Sequence, residues 1–202
     1  MRGVSLQINE ILDFWFGKPD EAGYGKPRQV WFTKKPQFDE EIRTRFLQDY
    51  ELAAADRLNR WKESPQSCLA LILLLDQFPR NLFRGTAIAF ATDSLALSAA
   101  QYAVANGFDR ELLPIQRCFN YLPFEHSENL EHQRQSVELF QQLSDDPDSI
   151  AYISYAVRHF EVIERFGRFP HRNQILDRET TPQEAESGLT QHHHYLGATT
   201  RD

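Results

Sequence analysis

The chain is poor in sulfur. Among 202 residues there are two cysteines and one methionine. Cys68 lies in an apolar run and Cys118 beside Phe119, and neither has a second cysteine at metal-binding or redox spacing. This excludes a disulfide-stapled scaffold and points to buried thiols in a reducing compartment rather than a Cys68–Cys118 bridge. Long apolar runs are also missing. The longest, Cys68 to Leu75, falls far short of the roughly 20 residues that span a bilayer. Met1 to Ser5 carries no apolar core of signal-peptide length. Positive charge is in deficit, with 22 Lys and Arg against 29 Asp and Glu. A net charge of −7 argues against nucleic acid and anionic membranes as partners, because both need a basic surface. There is no Gly-rich phosphate loop, no Gly-x-Ser-x-Gly elbow and no strand alternation bounded by turn pairs. A cytoplasmic protein is expected.

What the chain has in quantity is aromatic and helical pattern. Fifteen phenylalanines can fill an interior. Ile8, Ile11, Leu12 and Trp15 form a helical stripe, with Ser5 expected as its cap and Gly17 as its end. A long helix is expected after Pro36, with room for a break near Tyr50. Ser64-Pro65 starts a helix that is apolar nearly all round and is expected to end near Phe78. Thr92-Asp93 and Asn106-Gly107 bracket an alanine-faced helix. Further helices are expected over about 110–121, stopped by Pro123, over about 128–143 with Ser127 as cap, and after Asp148 or Ser149 as cap, carrying Ile150, Ile153, Val157 and Phe160. Thr181-Pro-Gln-Glu184 reads as a capping box. The fold class is therefore all-α, a single domain over 1–190 of antiparallel helical hairpins stacked side by side. Residues 191–202, with His192-His193-His194, read as a polar, flexible tail.

Three motifs crowd charged groups onto the ends of apolar helices: Asp76-Gln-Phe-Pro-Arg-Asn81 with Arg84, Phe124-Glu-His-Ser-Glu128, and Arg165-Phe-Gly-Arg-Phe-Pro-His-Arg-Asn173. Asp76 closes the most apolar helix, where both burial and the helix dipole disfavour a carboxylate, so a cation must pair with it. Arg80 and Arg84 are within reach. Asp76, His126 and His159 are the candidates for acid–base work. Arg80, Arg84, Glu125, Arg168, His171 and Arg172 are the candidates for ligand contact, because guanidinium groups match carboxylate or phosphate. Arg165, four residues after Glu161, reads as structural. Glu128 and His132 share a helix face and offer two metal ligands, but a metal site needs three or four.

These motifs resemble those of a bacterial family called domain of unknown function 924. The resemblance is carried by Asp76–Asn81 with Arg84-Gly85-Thr86-Ala87 and Ala91-Thr92-Asp93, by Asn120–Glu128 and by Arg165–Asn173. It runs from about Ile11 to Glu184. It implies a tetratricopeptide-like helical fold and implies no activity or cofactor. Three functions follow as expectations: a protein that binds, or acts on, a small anionic ligand; a helical scaffold for a peptide or protein partner; and a metal-dependent hydrolase using Glu128 and His132.

Overall fold

The computed structural model describes residues 3–190; the residues after Thr190, including His192–His194, lie outside it. Its described residues form helices and turns, with no strand. The helices are α1 (Val4–Phe16), α2 (Pro36–Ala54), α3 (Pro65–Ile72), α4 (Phe78–Leu82), α5 (Asp93–Ala105), α6 (Pro114–Glu125), α7 (Leu130–Gln141), α8 (Ile150–Phe166) and α9 (Pro182–Glu186). No described helix is long and apolar enough to cross a membrane.

α3 lies at the centre, as its all-round apolar surface requires. Every residue of Pro65–Ile72 except Gln66 is buried. It packs against α1, α5 and α6. The small face of α5 (Ala96, Ala99, Ala100, Ala103) is fully enclosed and brings α5 close to α3. From α5 to α8 each helix packs on the next, α5 on α6, α6 on α7 and α7 on α8. An aromatic nucleus joins α1, α4 and α6, with Trp15 against Phe78 and Phe119. Trp31 stands 4.7 Å from Phe119, centroid to centroid. Arg28 donates to the carbonyls of Phe14 and Trp15, and Trp31 Nε1 donates to Trp15 O at 2.9 Å. The open end of α1 is thus satisfied by a loop that delivers Trp31 to the interior. Both cysteines are free and buried, and burial pushes their thiols up, Cys68 to about 11 and Cys118 to about 12.

Several sequence-based boundaries shift. Gly3, not Ser5, is the residue before α1. α2 runs unbroken past Tyr50. Asn129, not Ser127, caps α7, accepting from the backbone N–H groups of Glu131 and His132. Neither proline stops its helix. Pro123 sits inside α6, which reaches Glu125. The α3 helix does not end at Phe78-Pro79: it widens into a π-helical stretch, Leu73–Gln77, and continues as α4. A proline removes one N–H and crowds the carbonyl four residues back. Here that carbonyl, of Leu75, accepts instead from Thr92 Oγ1 at 2.6 Å. Thr92 therefore serves the neighbouring helix rather than capping its own.

Phe119→Ala tests the aromatic nucleus. The side chain is fully buried against Trp15, Phe16 and Trp31, so chemical denaturation should show a loss of about 3–5 kcal/mol. A loss under about 1 kcal/mol would mean that the site is loosely packed.

Candidate functional site

The π-helical stretch presents Asp76 and Gln77 inward. Asp76 is fully buried. Its Oδ1 lies 2.7 Å from His126 Nδ1, its Oδ2 accepts from Gln77 Nε2 at 2.6 Å, and Arg80 Nη2 stands 3.5 Å away. Burial opposes ionisation of Asp76. Arg80 and His126, assisted by Gln77, outweigh it and hold the carboxyl well below the usual carboxylate range. An ionised carboxylate only accepts hydrogen bonds, so His126 Nδ1 carries a proton and Nε2 does not. Burial and Arg80 keep the imidazole below its ordinary value, against the pull of Asp76. His126 is therefore a neutral base whose tautomer the carboxylate sets.

Arg80 continues the chain of charge. It donates to the carbonyl of Asp76 and lies 3.0 Å from Asp93 on α5. Asp93 also meets Arg172 at 3.4 Å. Arg172 is buried, with its guanidinium between the rings of Phe90 and Phe169 at 4.7 and 4.6 Å. Arg84 makes two hydrogen bonds to Asp39 on α2, at 2.9 and 3.0 Å. Three guanidinium groups thus face three carboxylates.

The end of α6 supplies Glu125 and His126, and Gln133 of α7 holds it. Gln133 Nε2 donates to the carbonyls of Glu125 and Ser127 at 2.6 and 2.7 Å. Glu125 is 3% exposed, with Oε1 3.1 Å from His159 Nδ1. Burial, and then the Asp76 charge, push Glu125 up to about 8. His159 Nδ1 donates to the Tyr155 carbonyl at 2.9 Å, which fixes its proton on that nitrogen. Burial lowers His159 to about 3, so at neutral pH Glu125 is a carboxylic acid beside a neutral imidazole.

Part of this set borders one cavity of about 130 Å³, while Asp76, Asp93, Arg172 and Gln133 stand behind its wall. Gln77, Arg80, Arg84, Glu125, His126 and His159 supply its polar wall, and Trp31, Phe32, Leu122, Tyr152 and Tyr155 most of its apolar one. The structure brings together Asp76, Arg80, Arg84, Glu125, His126 and His159, with Arg172 behind them. Arg168 is elsewhere, paired with Glu184 at 2.6 and 2.9 Å. His171 packs its ring near Phe169, at 5.6 Å, and does not line the cavity. Arg165 places its guanidinium over Phe166 and borders a separate hollow of about 260 Å³ along α8. Glu128 takes a two-bond contact from Arg178 and accepts from Phe169 N, while His132 contacts Ser127 and Gln101. Glu128 and His132 are thus held by different partners, and the described residues contain no group of three or more metal-ligating side chains.

Sequence reading missed Gln77, Asn81, Asp93, Trp31, Tyr152 and Gln133. Gln77 and Asn81 lie within a motif already singled out and were legible there. Trp31 and Gln133 carried no local signal, since their roles depend on which backbone they approach.

A family model described as "Bacterial protein of unknown function (DUF924)" matches residues 11–191. A solved structure of a protein of unknown function from Agrobacterium tumefaciens is 42% identical. The match covers 92% of this chain and 98% of that one, with a TM-score of 0.80. None of the curated proteins matches.

Two predictions follow from this geometry. Gln133→Leu leaves the Glu125 and Ser127 carbonyls without their partner, and denaturant titration should show a loss of about 1–3 kcal/mol. The second concerns pH. Glu125 gains a proton on folding between its ordinary 4.5 and about 8, so its contribution is present at low pH and lost as pH rises. His159 is lowered from 6.5 to about 3 and opposes this below 6.5. From pH 6.5 to 8, therefore, stability should decline by on the order of 1–2 kcal/mol, and in Glu125→Gln the decline should vanish. An unchanged slope in that variant would show that Glu125 is ionised at neutral pH.

Proposed function

This chain belongs to the DUF924 family of bacterial proteins, and we propose that it binds a small molecule in the cavity between α4, α6 and α8. One observation carries the reading. Gln77, the Glu125 and His126 pair and His159 come from three separate elements and converge on a single aromatic-walled space, with Asp76 bound to His126 behind the wall. Apolar walls with a few convergent polar groups of shifted pKa are the usual composition of a ligand site. The volume of about 130 Å³ is below the roughly 300–1,000 Å³ of sites for drug-sized molecules, which suits a small metabolite.

Charge narrows the class. Arg80 and Arg84 remain the anion contacts expected from the sequence. Their charge is matched, however, by Asp76, Asp93 and Asp39, so the site holds no surplus of cations for a polyanion. A ligand with at most one negative charge fits, its anionic group meeting Arg84 at the more exposed rim. His126, with Nε2 unprotonated, is the group placed to take a proton from it.

The scaffold reading has less behind it. The exposed large apolar side chains described are Val4, Leu6, Ile88, Tyr102, Leu113 and Ile150, scattered over the surface elements with one aromatic among them, rather than a groove of aromatics.

Calorimetric titration against a panel of small monocarboxylates, dicarboxylates and phosphate monoesters tests the proposal. Monocarboxylates should bind and doubly charged compounds should not. Arg84→Ala and His126→Gln should each weaken binding at least about tenfold while shifting the melting temperature by only a few degrees. Binding of dianions alone would overturn the charge argument. Retained affinity in both variants would move the site elsewhere.

A further inference from the structure

We infer that Glu125 is the cavity's uncharged donor, a carboxylic acid that gives a hydrogen bond to a neutral oxygen of the ligand. The site then selects small molecules bearing a carbonyl on an aromatic or branched apolar body. This rests on the reading that the cavity holds a small molecule, and it assigns which atom of that molecule is recognised.

Glu125 ends α6, borders the cavity and is nine-tenths or more buried. Its two oxygens differ. Oε1 stands 3.1 Å from His159 Nδ1, whereas Oε2 is buried and has no hydrogen-bond partner among the described residues. Buried side-chain oxygens are partnered in the large majority of cases. An unpartnered one on a cavity wall is a group that a ligand would complete. The His159 nitrogen beside Oε1 already donates to the Tyr155 carbonyl at 2.9 Å, so it gives Glu125 at best a shared hydrogen bond.

The groups around Glu125 decide its protonation. Asp76 from the π-helical stretch is ionised and raises Glu125, as burial does. Arg80 of α4 and Arg84 in the turn after it are paired with Asp76, Asp93 and Asp39. His126 is paired with Asp76. Tyr152, Tyr155 and His159 from α8, and Cys118 two turns back on α6, supply no cation, because His159 is held neutral and thiols and phenols are never cationic; the Cys118 and Tyr152 protons are held tightly, so these two add no anion either. A protonated carboxyl has one O–H to give and can satisfy a carbonyl oxygen, which only accepts. A ligand carboxylate at the same place would sit close to the Asp76 charge. The ligand's charged end therefore points to the Arg84 rim and its neutral carbonyl to Glu125. The aromatic walls, Trp31, Phe32, Tyr152 and Tyr155, enclose what lies between.

Phenylpyruvate and phenylpropionate differ by the ketone oxygen and serve as probes, titrated calorimetrically into the full chain. At about pH 6.5, phenylpyruvate should bind at least about tenfold more tightly. Near pH 9, one unit above the value of about 8 for Glu125, that preference should shrink by about tenfold. Glu125→Gln keeps a neutral donor and should retain the preference at both pH values. Glu125→Ala should lose it. Equal binding of the two probes, a preference that survives in Glu125→Ala, or failure of both probes to bind would overturn the assignment. Infrared spectra supply a readout that needs no ligand. The wild type near neutral pH should show the carbonyl band of a protonated carboxyl, and Glu125→Gln should lack it. Absence of the band in the wild type would overturn the role of Glu125 while leaving the small-molecule reading to its own panel.

Discussion

The structure depends on a carboxylate buried where a carboxylate is costly. Asp76 is fully enclosed at the end of the most apolar segment of the chain. An isolated charge there would be driven to its neutral form. It stays ionised because Arg80, His126 and Gln77 reach it from two segments. The same demand propagates outward. Arg80 needs Asp93, and Asp93 draws in Arg172, which is sandwiched between Phe90 and Phe169. One buried charge thereby ties α4, α5, α6 and the segment after α8 into a single arrangement. Such a network is weak evidence for stability, but breaking it by removing one partner is costly, so it specifies geometry.

Matching the charges internally shapes what is left for a ligand. The guanidinium groups are occupied, and the uncharged groups Glu125, His126 and His159 face the cavity. Two carboxyls in one small region end in opposite states: Asp76 has cations and Glu125 has burial and a neighbouring anion. Environments that push paired titratable groups apart are how acid and base roles are assigned within one site.

The third motif divides its work. Arg172 joins the buried network. Arg168 and Asn173 both bind Glu184 of α9, and Glu128 takes Arg178 and the Phe169 N–H. These contacts hold the segment after Gly167 against the connection between α6 and α7 and against α9. Gly167 adopts φ +68°, which ends α8 and turns the chain toward them. Most of the motif's cationic crowding is thus a clasp, with one arginine directed to the site.

The sequence by itself determined the helical class, the central position of α3, the Thr181–Glu184 capping box, the alanine face of α5 and the three charged motifs. Periodicity and composition are local properties and survive folding unchanged, whereas of the caps the Thr181 box held and Ser5, Ser127 and Thr92 did not. It also placed Asp76, Arg80, Arg84, Glu125, His126 and His159 among the candidates, because charged groups on apolar helices must find partners. Tertiary structure alone decided the rest. Pro79 and Pro123 read locally as helix stops, yet their helices continue. For Pro79 the reason is visible: a distant hydroxyl, that of Thr92, takes the carbonyl the proline would leave stranded. Arg168, Arg172 and Arg178 are alike in sequence and separate by which carboxylate lies within reach, Glu184, Asp93 or Glu128. Glu125 and Asp76 are both acids, and only the positions of Arg80 and His126 make one a carboxylate and leave the other protonated. Ionisation follows from distance and burial, and neither is written along the chain.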